Sequence, residues 1–223
     1  MKKIIAALTL TTAFLSAAET DAPARLQAAA DVFKEVMGIP DKSIPQELLN
    51  KAQCIVIVPG LKKGAFIVGA KYGKGFVSCR AKGGTGWSAP GSMRVEGGSF
   101  GFQIGGSETD VIMLVMNERG MTRLLTSKFT LVGYASVAAG PAGRSTQAET
   151  DAMMTAEILT WSRSRGLFAG VSLSGATLRE DSDWNNDLYG RKITNREIIT
   201  STIAPPAPAK ALLDELNRYS SRK

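Results

Sequence analysis

The sequence predicts an α+β fold: a curved antiparallel β-sheet or barrel with short flanking helices. Three observations lead there. Between Cys54 and about Ala138, apolar residues run in short stretches or alternate with polar ones, at strand spacing. Fourteen of the 23 glycines lie between Gly60 and Gly106, a density that suits tight turns and strongly bent strands. Both ends of the chain instead place apolar residues at helical spacing. With 44% hydrophobic and 21% charged residues, the 223-residue chain is too apolar for disorder.

Residues 1–18 read as a signal peptide, because Lys2 and Lys3 precede the apolar stretch Ile4 to Leu15 and the small residues Ser16-Ala17-Ala18. A helix of the fold is the competing reading. Export to the periplasm or envelope is the expectation, with residues 19–223 as one domain. Leu26, Ala30, Phe33 and Met37 predict a helix over 22–37 that opens beside Asp21 and Pro23 and stops at Gly38. Ser43 and Gln46 are spaced as a capping box for a second, short helix.

The run Cys54 to Val58 predicts a buried strand ending at Pro59-Gly60, and Gly64 to Tyr72 with Gly75 to Ala81 a hairpin turning at Gly73-Lys74. In such a meander Cys54 and Cys79 both lie opposite Val68, two strands and about 10 Å apart. Two buried thiols are the expectation, with a bridge open only to a non-sequential strand order.

Val111 to Met116 is a continuous apolar run, hence a central strand, and Asn117 is placed to cap a short helix after it. Phe129 to Val137 resumes strand alternation. A hairpin tip falls at Ser162 to Gly166, with Leu167, Ala169, Val171 and Leu173 alternating beyond it. Helices follow over 183–188 and 195–201, and another after Pro205-Pro206-Ala207-Pro208, carrying Leu212, Leu213 and Leu216.

The absence of His removes Ser-His-Asp and Cys-His triads, His-ligated zinc and imidazole bases. Two cysteines are too few for a Cys-only zinc or iron–sulfur site. Gly97-Gly98-Ser99-Phe100-Gly101 spells GxSxG, but no strand-to-helix elbow is predicted there and no histidine partner exists. Glu180, Asp181, Asp183 and Asp187 read as the acidic start of a helix rather than a cation site. These observations point to a binding module, not an enzyme, with neither cofactor nor metal. Nucleic acid is not an expected partner of an exported chain.

Charge is local. Between Leu48 and Val95 there is no Asp or Glu, while Lys51, Lys62, Lys63, Lys71, Lys74, Arg80, Lys82 and Arg94 are basic. The predicted hairpin puts Lys71, Arg80 and Lys82 on one face with Lys74 in the turn, and Phe66, Val68, Val77 and Cys79 on the other. A wet cationic face of this kind attracts anionic headgroups; an ordinary solvated sheet face is the alternative. Ala139-Gly140-Pro141-Ala142-Gly143-Arg144 offers backbone N–H groups beside Arg144 as an anion nest, or a plain turn. Arg163 and Arg165, alternate at the hairpin tip, face a phosphate or form a solvated loop.

These residues resemble, in order, those of the SYLF or Ysc84-like family. Matching stretches include Ile44 to Leu49, Lys63 to Gly69, Gly86 to Pro90, Gly101 to Gly105, Ala138 to Arg144 and Tyr189-Gly190-Arg191. Strongest is Trp161-Ser162-Arg163-Ser164-Arg165-Gly166-Leu167-Phe168-Ala169-Gly170-Val171-Ser172-Leu173. The resemblance spans roughly residues 25–216 and implies binding of anionic phospholipid, with an actin link among fungal members. It also implies membrane contact through a basic surface, here Lys62, Lys63, Lys71 and Lys74, and through an amphipathic helix, here Ala24 to Met37. The expected partner is therefore an anionic phospholipid surface in a bacterial envelope. A protein-interaction module using the same basic patch is the alternative.

Overall fold

The computed structural model describes residues 21–39, 43–65, 68–83, 85–100, 105–131, 137–139, 156–164, 167–168, 173 and 175–220. The leader-like segment 1–18, Arg144 with its proposed nest, and Arg165 lie outside these residues. Among the described residues nine strands form one sheet: β1 (Cys54–Ala65), β2 (Val68–Cys79), β3 (Gly91–Phe100), β4 (Gly105–Val115), β5 (Lys128–Thr130), β6 (Val137–Ala139), β7 (Ile158–Ser164), β8 (Leu167–Phe168) and β9 (Thr177–Glu180). Their order is β5-β9-β3-β2-β1-β4-β7-β6, with β8 paired to β7. Among these strands only β6 and β7 pair in parallel, and the sheet curls into a half-barrel. The helices are α1 (Ala22–Met37), α2 (Gln46–Lys51), α3 (Glu118–Leu124), α4 (Ser182–Tyr189), α5 (Asn195–Thr200) and α6 (Lys210–Ser220). The expected α+β class with a curved antiparallel sheet is what the chain adopts.

Strand alternation sorts the side chains onto two faces, and both are buried over the middle of the sheet. Ile55, Ile57, Phe76, Ile112, Leu114 and Trp161 pack under α1, α4 and α6, joining Leu26, Phe33, Trp184, Leu212 and Leu216. Val56, Val58, Val77, Val95, Val111 and Met113 face the other way, onto Leu124, Phe129, Leu178 and Ile199. The continuous apolar run of β4 thus feeds both cores, as expected of a central strand between β1 and β7.

The hairpin differs from its expectation. β1 does not stop at Pro59-Gly60: the pair is absorbed as a bulge, with Gly60 at φ +57° and its N–H donated to Asp110 Oδ1 at 2.9 Å. β2 does not turn at Gly73-Lys74 either. Its glycines serve close approach to the bulge, since a Cβ on Gly75 would lie 2.0 Å from the Ile57 carbonyl oxygen. With one long hairpin instead of a meander, Cys54 lies directly opposite Cys79, and the two form a disulfide with a Cα separation of 3.9 Å. The expectation of two thiols is corrected for that reason: two turns, at Pro59-Gly60 and Gly73-Lys74, in place of one put Cys79 a strand away. The same shift corrects the faces. Lys71 points to the side of Val77 and Cys79, whereas Lys74 and Arg80 share the side of Phe76.

Two further expectations change. Phe129 to Val137 is not one strand: β5 pairs with β9 at one edge of the sheet, and β6 with β7 at the other. The capping box at Ser43 and Gln46 does not form, because α2 starts at Gln46 after Pro45 and has no side-chain cap. A capping box forms instead at Thr194 and Glu197, opening α5. Ser99 sits within β3, opposite Gly69, and not at an elbow.

The bridge joins residues 25 apart, for which chain entropy gives a stabilisation of about 3.5 kcal/mol. The Cys54→Ala/Cys79→Ala variant is expected to lose that amount in urea titration. Unfolded wild-type protein should release no thiol to Ellman's reagent until a reductant is added.

Candidate functional site

The structure separates the cations that the acid-free stretch placed together. Lys74 lies on the α4 side of β2, with its Nζ 3.2 Å from Asp181 Oδ2 and 4.3 Å from the Trp184 ring centroid. Its side chain is 13% exposed and that of Asp181 2%, so this pair is interior structure. Asp181 also caps α4, accepting from the Trp184 N–H.

Arg80 is likewise committed. Its Nε donates to the Ala52 carbonyl at 3.1 Å and its Nη2 to that of Leu49 at 2.7 Å, satisfying the end of α2. Its Nη1 donates to the Ser220 carbonyl at 2.5 Å, at the end of α6, and its guanidinium lies 3.9 Å over the Trp87 ring. Arg163 pairs with Glu35 of α1 and, at 3.0 Å, with Asp110 of β4. These contacts raise the Arg163 pKa further even though burial opposes them. Helix α1 is itself packed down, with Leu26, Ala29, Ala30, Phe33 and Val36 buried. The apolar face that the resemblance assigned to a membrane forms part of the core.

Lys62, Lys63 and Lys71 remain near the free end of the β1–β2 hairpin, and Lys82 is exposed in the turn after β2. Across strands, directly paired residues share a face. On the α1 side one rung runs Glu96–Tyr72–Lys62–Glu108 across β3, β2, β1 and β4. Tyr72, 45% exposed, is the sole exposed large hydrophobic residue among the described residues. On the opposite side the rung reads Gly97–Lys71–Lys63–Ser107. Burial, and then the Lys71 charge, hold the Lys63 ammonium below the usual lysine range, and burial does the same for Lys71.

Composition pointed to Lys62, Lys63 and Lys71, but Tyr72, Glu96 and Glu108 escaped it. The missing signal was register: Glu96 lies just past the acid-free stretch and Glu108 on a strand that the stretch does not include. Neither joins the lysines until β3 and β4 are paired to β2 and β1.

The fold and this surface define a helix-covered antiparallel sheet whose polar strand ends carry both signs of charge. The chain belongs to the Ysc84 family, described as Las17-binding protein actin regulator, which residues 96–219 match. It is 35% identical over 201 residues to SH3 domain-containing YSC84-like protein 1 of Xenopus laevis, covering 87% of this chain and 59% of that protein. The human protein of the same name is 33% identical over 200 residues, 87% of this chain and 58% of its own length. LAS seventeen-binding protein 3 of Saccharomyces cerevisiae is 34% identical over 193 residues, 84% of this chain and 41% of its own. The chain thus spans about half the length of such relatives.

Two variants separate interior from surface cations. Asp181→Ala strands the buried Lys74 and removes a helix cap, and is expected to lower stability by about 3 kcal/mol in urea titration, whereas Lys62→Ala should stay within about 0.5 kcal/mol. The unfolded chain holds the Lys63 and Lys71 protons more tightly than the folded one, so the stability they contribute rises as pH climbs toward the ordinary lysine range. Lys63→Gln should therefore raise the urea midpoint at neutral pH, and its advantage should shrink near pH ~10.5.

Proposed function

We propose that this chain is a non-catalytic protein-interaction domain that contacts its partner through the free end of the β1–β2 hairpin, centred on Tyr72 and Lys62. The exposed Tyr72 within the rung Glu96–Tyr72–Lys62–Glu108 carries the reading. An aromatic side chain with a polar tip, ringed by charges of both signs, is what protein interfaces favour as an anchor. An anionic phospholipid surface, the first expectation, fits this rung less well: Glu96 and Glu108 would face the headgroups, and Lys74, Arg80 and Arg163 are engaged inside the fold. Relatives described by Las17 and actin support a protein partner.

Export remains part of the proposal. The buried Cys54–Cys79 bridge suits an oxidising compartment such as the periplasm and agrees with the leader-like residues 1–18. No helix among the described residues is long and apolar enough to cross a membrane.

The family description names actin, and its filamentous form is the probe. Wild-type protein is expected to co-sediment with it, and Lys62→Glu/Tyr72→Ala to weaken binding by ~5-fold or more with its melting temperature unchanged. Salt-sensitive binding to phosphatidylglycerol vesicles with none to actin would restore the lipid reading and discard this one.

A further inference from the structure

A second cationic feature lies on the same face of the sheet, toward its β5 edge, and it is assembled from three segments distant in sequence. Lys128 on β5 is paired with Arg179 on β9, and Arg179 with Arg94 on β3. Paired residues share a face, and the intervening Phe129, Leu178 and Val95 point into the opposite core, so the three cations stand in one row across adjacent strands. At about 4.8 Å per strand the row is about 10 Å long. Its continuation, Lys74 opposite Arg94, is already neutralised by Asp181.

Like charges directly opposite each other destabilise a sheet. Among the described residues a single carboxylate serves the row: Glu96 lies 2.9 Å from Arg94 Nε and 3.6 Å from Arg179 Nε. Lys128 is exposed and makes no ion pair among the described residues. Three cations against one carboxylate leave an excess of positive charge that folding does not need, the kind of local inconsistency that marks a functional surface.

We infer that the row Lys128–Arg179–Arg94 is a docking strip for an extended acidic protein segment. This rests on the reading of the chain as a protein-interaction domain and adds the chemistry of the partner. Arg94 and Arg179 keep 34% and 38% of their side-chain surface exposed, within reach of a narrow chain. Guanidinium forks match carboxylates two at a time. Alternate residues of an extended segment, about 7 Å apart on one side, can place carboxylates along the row. The next rung offers the hydroxyls of Thr130 and Thr177, 3.3 Å apart, as partners for the segment's backbone. Tyr72 lies on that same rung, beyond Glu96, which makes the strip continuous with the hairpin surface.

The test measures fluorescence anisotropy of a fluorescein-labelled hexaglutamate peptide titrated with the full chain at low salt. Saturable binding is expected, weakened by ~5-fold or more in Lys128→Gln/Arg179→Gln and changed less than ~2-fold in Lys82→Gln, which removes an exposed cation in the turn after β2. Arg94→Lys, which keeps the charge and loses the fork, should weaken it by an intermediate factor. No saturable binding by wild type, an equal loss in Lys82→Gln, or displacement of the peptide by phosphatidylglycerol vesicles would overturn the assignment. So would a fall of several degrees in the melting temperature of Lys128→Gln/Arg179→Gln, which would give the strip to folding. Peptide binding without actin binding would discard actin as partner and keep the strip; actin binding without peptide binding would do the reverse.

Discussion

The register between β1 and β2 is the constraint on which the rest of the molecule depends. β1 is paired along its length to β2 on one side and β4 on the other, so every strand in the sheet takes its alignment from it. Two devices fix that alignment. The Pro59-Gly60 bulge shifts the pairing part-way along the hairpin, and the Cys54–Cys79 bridge locks its base. A slip of one residue would turn Val56 and Val58 toward α1 and send Ile55 and Ile57 into the other core. Two buried faces would then be mispacked at once, and the bridge could not close.

Cations within this fold serve two purposes. Lys74, Arg80 and Arg163 join elements: a strand to the start of α4, a strand to the ends of α2 and α6, and β7 to α1 and β4. Each brings several partners to one side chain, and the helix-end carbonyls that Arg80 satisfies have no partner within their own helices. Lys62, Lys63 and Lys128 hold no helix in place. Charge composition cannot tell the two groups apart, since both are the same residue types a few positions apart. Burial and partners distinguish them, and both depend on tertiary pairing.

Much of the fold was legible because its signals are local. Asp21 and Gly38 bound α1 as their residue types require, Asn117 caps α3, and the unbroken run from Val111 to Val115 is a central strand. The errors cluster where one residue type serves two roles. Gly60 and Gly73 read as turn formers, whereas they make a bulge and the close approach around it, and nothing in the sequence says which. That single ambiguity produced the short strands, the reversed faces and the missed disulfide. The candidate surface was half legible: the lysines stood out in an acid-free stretch, but Tyr72, Glu96 and Glu108 meet them only through pairings across four strands.

The arrangement also shows why the two candidate contacts lie where they do. Over the middle of the sheet both faces are covered, and polar side chains there must find internal partners. Toward the free end of the β1–β2 hairpin and toward the short β5 edge the cover thins, and charged residues on paired strands stand side by side. On the hairpin the signs alternate, Glu96 and Glu108 flanking Tyr72 and Lys62, so the rung is nearly balanced on its own. At the β5 edge they do not: among the described residues Arg179 and Arg94 share Glu96, and Lys128 beside them adds a third positive charge. A balanced rung with an exposed aromatic gives shape and orientation to a contact, whereas an unbalanced row supplies long-range attraction and sign selectivity. Glu96 belongs to both, paired across the strands with Tyr72 and bridged to Arg94 and Arg179. A partner carboxylate that takes over one of those arginines therefore changes the charge beside Tyr72, and this shared side chain is the physical route by which the two contacts would be coupled.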